Sequence, residues 1–345
     1  MKDFEKRILD FVQDNPNVSS SEIHKSTGGE VSLATIKRAI SRLVSNKILD
    51  AVGQGRATRY RLSLFYRLFQ DIDTEEYYQD EIDEREIIEE FNFSLLDDIL
   101  PEAELFNDEE LAYLNELQSR FAKSISTLGP TETEKEFERL AIDLSWKSSQ
   151  IEGNTYSLLE TERLLKEKQT ASGKTQQEAI MLLNHKEAID FIIQNPHYLT
   201  PIAIAKIEDI HTILTQELQV ERSIRKRRVG ISGTNYRPLD NAFQITDALT
   251  KSCQIINNKT NVFEQALLSL ILISYIQPFV DGNKRTARIV SNAILLGHGY
   301  CPVSFRTVDS IDYKKAMLLF YEQNNITAMK KIFIEQYAFA VRTYF

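Results

Sequence analysis

Twelve residues, Gln277-Pro278-Phe279-Val280-Asp281-Gly282-Asn283-Lys284-Arg285-Thr286-Ala287-Arg288, gather a carboxylate, a glycine and three cations around one helix start. The free N–H groups and positive dipole end of a helix attract anions, and a glycine there lets an anion approach the backbone closely. Lys284, Arg285 and Arg288 add full positive charges, so the loop suits phosphate. Asp281 would repel phosphate unless a divalent cation bridges the two, and Mg2+ is commonly held by one carboxylate together with phosphate oxygens. The expectation is a Mg-nucleotide or similar polyphosphate, with Asp281 as the metal residue and Gly282, Asn283, Lys284, Arg285 and Arg288 as the phosphate residues. The G-x-x-x-x-G-K-S/T spacing of a Walker A loop is absent. An ordinary turn between two helices with basic residues in solvent has the same local composition.

A second candidate is a glutamate on the wrong side of a helix. Thr133 and Glu136 make a capping box, and Gly153-Asn154 is a stop, so a helix is expected over about 133–153. Its apolar stripe is Phe137, Leu140, Leu144 and Ile151, and the i+4 row from Leu144 runs on to Ser148 and Glu152. A carboxylate on a buried face is unfavourable unless a cation pairs with it. Either Glu152 finds a cation elsewhere in the chain, or the last turn frays and the side chain points to water.

The elements around these residues are mostly helical. Glu264 to Ile276 is apolar nearly all round and reads as a buried helix ended by Pro278. A turn at Asp281-Gly282-Asn283 follows, then a second buried helix from Thr286 to about Leu296, closed by Gly297. Asp108 opens another helix, to about Ser126. Val229 to Pro238 alternates apolar and polar residues around Gly233, which suggests a hairpin.

At the central loop the chain resembles the Fic (filamentation induced by cAMP) family, whose signature is H-x-F-x-D/E-G-N-x-R-x-x-R. Six of seven fixed positions match: Phe279, Asp281, Gly282, Asn283, Arg285 and Arg288. The resemblance extends over most of 105–345 and implies a helical Fic core with a small β-hairpin flap. It also implies an enzyme that moves AMP from ATP, with Mg2+, to a Ser, Thr or Tyr hydroxyl of a target protein. Ser148-Ser-Gln-Ile-Glu152-Gly-Asn154 resembles the family's inhibitory motif, which implies that Glu152 pairs with Arg288 and blocks a productive γ-phosphate pose. Gly230, Ile231, Ser232, Gly233 and Thr234 resemble the flap that holds a target segment by strand pairing.

The departure is Gln277, which stands where the family has its general base histidine. An amide takes up no proton near pH 7, and a positioned base is typically worth about 10²–10⁴-fold in rate. His24, His185, His197, His211 and His298 make no claim from their local sequence. Three explanations stay open: a residue replaced to trap an inactive state; a natural glutamine in a slow enzyme or nucleotide-binding regulator; or reverse chemistry, with Glu152 handling a water that removes AMP.

Residues 1–66 differ from the rest. Residues 1–63 carry 11 Lys and Arg against 7 Asp and Glu, within a chain of formal net charge −9. A cationic head on an acidic body suggests a polyanionic partner. Three short amphipathic helices, the third starting at Ser32, precede two alternating runs joined by Gly53-Gln54-Gly55-Arg56. This layout resembles a winged helix-turn-helix, in which the third helix enters the DNA major groove and the wing meets phosphate. Thr35, Lys37, Arg38, Arg42 and Arg56 are the expected DNA residues; a protein-binding winged helix with a solvated basic face is the alternative. Residues 67–104 form an acidic connector, with 11 acids and one base between residues 71 and 90. Its tyrosines and isoleucines indicate order. No apolar run reaches the roughly 18 residues of a membrane span, and two cysteines, Cys253 and Cys301, suggest a reduced compartment. A cytoplasmic protein with no membrane contact, able to form a homodimer, is the default. A transcription regulator whose Fic core only senses nucleotide is the rival to the transferase.

Overall fold

A computed structural model describes residues 3–28 and 31–345; it is mainly helical, with one two-stranded sheet among the described residues. The chain divides into two units. One extends to Asp71 and includes Gln323–Thr327, and the other comprises Ile72–Glu322 and Ala328–Phe345.

The first unit contains α1 (Asp3–Asp14), α2 (Ser20–Ser26), α3 (Leu33–Ser45), the antiparallel strands β1 (Leu49–Val52) and β2 (Arg59–Leu62), and α4 (Leu64–Phe69). Each helix start has a chemical reason. Ser19 and Glu22 cap α2 reciprocally, and the Ser32 hydroxyl accepts from Thr35 N at α3. Ile8, Val12, Ile23, Ile36, Ile40, Leu43, Leu49 and Leu62 close a small core. Lys37, Ser41, Arg56 and Arg59 line a groove of about 900 Å³ between α3 and the hairpin, and Arg38 is exposed on α3. Thr35 spends its hydroxyl on Ser32. Arg42 pairs with Glu5 of α1, whose buried carboxylate requires a cation, and keeps about half of its side chain (51%) exposed.

The second unit is built around two buried helices, α12 (Val262–Ile276) and α13 (Asn283–Gly297). Before them come α5 (Thr74–Tyr77), a π-helical turn at Leu95–Ile99, α6 (Asp108–Thr127), α7 (Pro130–Ile151), α8 (Leu158–Glu167), α9 (Gln176–Gln194), α10 (Ile204–Leu214) and α11 (Ala242–Asn258). After them come α14 (Ser310–Gln323) and α15 (Thr327–Tyr344). α12 packs on α13 and α11, while α9 packs on α7, α10 and α13. Helix α7 begins three residues before the expected Thr133 box. Pro130 is preset for a first helical position, and the Glu132 carboxylate accepts from Gly129 N at 3.0 Å. The acidic connector is ordered: the Tyr77 hydroxyl donates to Glu322 and the Tyr78 hydroxyl to Lys315 O, both at 2.9 Å.

The hairpin expected over Val229–Pro238 does not form. The segment turns at Ser232-Gly233 and then pairs through an isolated parallel bridge between Arg237 and Glu90. Its donors are committed elsewhere, Arg237 N to Glu89 O and Tyr236 N to the Thr234 hydroxyl. Tyr236 points inward, stacked on Tyr275 with ring centroids 4.9 Å apart. The sheet among the described residues is therefore β1–β2.

Arg225 fixes where this segment sits. Its guanidinium is buried and donates to three carbonyls: Gln277 O at 2.6 Å, Arg227 O at 2.9 Å and Leu239 O at 2.5 Å. Its backbone N–H donates to Pro278 O at 2.9 Å. One side chain thus closes the 227–239 loop on itself and seats it on the C-terminal end of α12. Lysine lacks the planar fork and cannot answer all three acceptors. Arg225→Lys is expected to lower stability by about 2–4 kcal/mol, from two buried carbonyls left unpaired. Denaturant unfolding measures that loss, and hydrogen exchange should show it concentrated in residues 227–239.

Candidate active site

The loop between α12 and α13 is knotted by its own side chains. Gln277 is the C-cap of α12, in the left-handed region at φ 52°. Its Nε2 donates to Ser274 O at 2.6 Å and its Oε1 accepts from Asn283 Nδ2 at 2.9 Å. Asn283 also donates to Phe279 O and accepts from Phe279 N, both at 2.8 Å. Gly282, at φ 81°, takes the backbone through the turn that ends at α13, a conformation other residues adopt only with strain. The first N–H groups of α13 have no intrahelical acceptor and carry the positive dipole end.

Three cations surround this helix start. Arg285 is buried; its Nη2 donates to Asp281 Oδ2 at 3.0 Å, while its Nη1 has no partner. Lys284 is half-buried, and burial pulls its ammonium below the ordinary lysine range despite Glu152 nearby. Arg288, fully buried, is held by α7: Nε donates to Ser148 Oγ at 2.7 Å, and Nη2 donates to Ser148 O at 3.0 Å and Glu152 Oε1 at 2.7 Å. Glu152 caps α7 and keeps 22% of its side chain exposed. Burial would raise its carboxyl, but Arg288, Lys284 and Arg285 outweigh that and hold it below the usual carboxylate range. Ser148, Glu152, Asp281, Gly282, Asn283, Lys284, Arg285 and Arg288 therefore share one place. Gly230 to Thr234 lie on the segment whose base Arg225 ties to Gln277.

Two histidines that local sequence did not distinguish are part of this place. The His211 ring stacks on Phe279 at 3.7 Å with an interplanar angle of 9°, and its Nε2–H donates to Asp281 O at 3.0 Å. Burial pushes it down to about 4, so it is neutral at pH 7. His185 Nε2 lies 2.6 Å from Ser148 Oγ, and burial with Arg288 and Arg285 beside it keeps the ring uncharged. Both are buried, His211 against the loop and His185 against Ser148 of α7. Their signal lay in helix periodicity: each is on the buried face of its helix.

As to a metal, Asp281 is the one carboxylate at the turn, with 64% of its side chain exposed and only Oδ2 engaged by Arg285. No group of three or more His, Cys, Asp or Glu able to hold a metal occurs among the described residues. A single open carboxylate beside a helix N-terminus is a donor set of the kind Mg2+ accepts when phosphate and water supply its remaining ligands.

Residues 201–295 match the Fic/DOC family model, and residues 2–88 match the penicillinase repressor model. The protein adenylyltransferase Fic of Nematostella vectensis is 28% identical over 183 residues, covering 49% of this chain and 40% of that protein. Its counterpart in Drosophila mojavensis is 26% identical over 208 residues, covering 58% of this chain and 40% of that protein. The chain thus spans about two fifths of the length of these curated relatives. Among solved structures, residues 134–508 of Fic-1 from Caenorhabditis elegans superpose with a TM-score of 0.60 at 18% identity, covering 68% of this chain and 72% of that one. A Fic family protein from Desulfovibrio desulfuricans gives 0.56 at 18% identity over the same shares. No described helix is long and apolar enough to cross a membrane. The loop, the helical bracket and the matched region agree: the chain carries a segment similar to the Fic/DOC family at residues 201–295 and a segment similar to the penicillinase repressor family, of winged-helix type, at residues 2–88.

Proposed function

We propose that this chain transfers AMP from ATP to a hydroxyl side chain of a target protein, and that Glu152 holds the activity in check. The observation that carries the reading is the Glu152–Arg288 pair at the start of α13, beside a buried Arg285 nitrogen with no partner. A buried guanidinium N–H without an acceptor is unfavourable, and a phosphate oxygen would satisfy it. Residues 105–345 are the transferase body in this reading, 67–104 a connector and 1–66 a head.

The phosphates lie on the first-turn N–H groups of α13, with Arg285 and Lys284 beside them. Mg2+ on Asp281, when bound, supplies charge neutralisation on the phosphate oxygens. Arg288 is the cation a terminal phosphate would need, and Glu152 already occupies it. The acceptor oxygen forms a bond to the α-phosphorus while the bond to the β-phosphate oxygen breaks, and pyrophosphate leaves. The hydroxyl proton must go to a base, and Gln277 is none: it is neutral, and both polar atoms of its carboxamide are already bonded. The proton passes to solvent and the reaction is slow. His211 does not replace the base, because its ring is stacked and its Nε2 serves the Asp281 carbonyl.

The second reading concerns the head. The groove lined by Lys37, Ser41, Arg56 and Arg59 favours DNA as its partner, and the match of residues 2–88 to a repressor family supports it.

Labelled ATP should leave the unaltered chain almost unmodified, while Glu152→Gly with Gln277→His should label itself about 10²–10⁴-fold faster, the usual contribution of a positioned base. Equal labelling of both chains would sink the assignment of Gln277. Calorimetry gives a second check. The Glu152 carboxyl is held low, so its pair with Arg288 persists as pH falls until that lowered value is crossed. Mg-ATP affinity of the unaltered chain should therefore be flat across the neutral range, and Glu152→Gln should bind more tightly throughout it. For the head, a gel shift with DNA from upstream of its own gene should weaken with added salt and with Lys37→Ala and Arg56→Ala. Retention that ignores both salt and substitutions would identify a protein adaptor instead.

A further inference from the structure

Ser148 Oγ stands between two nitrogens, Nε of Arg288 at 2.7 Å and Nε2 of His185 at 2.6 Å. A guanidinium Nε only donates, so the serine oxygen accepts there. Its own proton then needs an acceptor, and among the described residues His185 Nε2 is the one bonded to it. The ring must therefore carry its proton on Nδ1, which is buried and has no hydrogen-bond partner. A ring protonated on Nε2 would aim two donors at one hydroxyl and strand the serine proton. A doubly protonated ring would do the same and add a third cation beside Arg285 and Arg288. Burial next to those two arginines keeps the ring uncharged. The direction of the chain is thus fixed: Arg288 Nε–H to Ser148 Oγ, and Ser148 Oγ–H to His185 Nε2. Helix α9, which carries His185, is itself anchored. Asn184 Nδ2 donates to Gln216 O at 2.6 Å, just past α10, and Glu178 O accepts from Asn154 Nδ2 at 2.9 Å. One helix therefore holds the chain on either side of Glu152, at Ser148 and at Asn154.

We propose that His185 is a positioning residue for the terminal phosphate of the nucleotide: it takes the Ser148 proton, turns a serine lone pair toward Arg288 Nε, and so sets the plane in which the guanidinium meets its anion. The anion exchanges at Nη2, where Glu152 now sits, and at Nη1, which has no partner, while Nε stays on the serine. A guanidinium presents its donors in a rigid planar fork, so fixing one nitrogen aims the others. Orientation set in advance lowers what binding must spend on ordering. That a phosphate takes Arg288 rests on the transferase reading above; the hydrogen-bond chain from α9 rests on the contacts alone.

The test uses the full chain carrying Glu152→Gly, with Mg-ATP and Mg-ADP as calorimetric probes. This background should prefer Mg-ATP. Adding His185→Leu, which keeps an apolar side chain of similar bulk on the buried face, should cut Mg-ATP affinity about tenfold, the worth of one hydrogen bond to a charged group. Mg-ADP affinity should not move. His185→Gln, whose amide oxygen accepts the serine proton at a similar reach, should restore most of the preference. Once Ser148→Ala has removed the hydroxyl, His185→Leu should cost the preference nothing more. Equal losses for the two nucleotides, no loss at all, or a full-sized loss without the Ser148 hydroxyl would overturn the proposal. A second measurement needs no nucleotide. NMR of the ring nitrogens should find His185 protonated on Nδ1 at neutral pH, and Arg288 Nε–H should exchange with solvent about tenfold faster after His185→Leu. A ring protonated on Nε2, or unchanged exchange, overturns the proposal in the same way. If Glu152→Gly alone binds both nucleotides equally while the NMR results hold, the phosphate role falls with the transferase reading, and His185 remains the residue that orients Arg288.

Discussion

Arg288 sets the terms for the rest of this fold. A guanidinium with no exposed surface must be answered within bonding distance, or the helix that carries it does not pack. Ser148 and Glu152, at the C-terminal end of α7, answer its Nε and Nη2, while its Nη1 has no hydrogen-bond partner. Through that one side chain the C-terminal end of α7 and the start of α13 become a single structural unit. His185 on α9 reaches the same serine, so three helices meet on one charge. The arrangement also explains why a carboxylate sits on an otherwise apolar row.

Around that charge the loop is built before any ligand arrives. Asn283 staples Phe279 from both its donor and its acceptor, Gln277 folds back on Ser274, and His211 lies flat on Phe279. Arg225 ties the end of α12 to the segment that passes over it. Such closure removes conformational freedom in advance, so a bound anion would not have to order the turn. Glutamine at position 277 suits this architecture well: its two-sided carboxamide bridges Ser274 and Asn283. What the residue contributes to order, it does not contribute to proton transfer.

Much of this was legible in the chain because the loop is local: twelve consecutive residues declare a turn, a helix start and its charges. The partnership of Glu152 spans 136 positions in sequence; helix periodicity put a charge on a buried row but left a frayed last turn open, and the resemblance of Ser148–Asn154 to an inhibitory motif implied Arg288 as the partner. Helix periodicity marks His185 and His211 as buried, but their partners, like those of Arg225, were not legible. Each is defined by what it touches across helix packing, and nothing in its neighbours hints at three carbonyls or a stacked ring. Val229–Pro238 misled for the same reason. Alternation marks an extended chain but not its partner, and here the partner lies about 150 residues earlier in the chain. Arg42 is a further contact the sequence did not announce: an exposed cation that also answers the buried Glu5.

The two contacts of α7 with Arg288 differ in depth along the helix. Glu152 is the cap, followed at once by Gly153 in the left-handed region, whereas Ser148 lies a full turn earlier in the packed part. Helix ends open far more readily than helix interiors. Unwinding the final turn would lift the carboxylate away while the serine still aimed the guanidinium, leaving a vacant anion seat of correct orientation. If Glu152 restrains the site as proposed, the restraint would have an intermediate position, set by how often one helix end frays rather than by the movement of a whole domain.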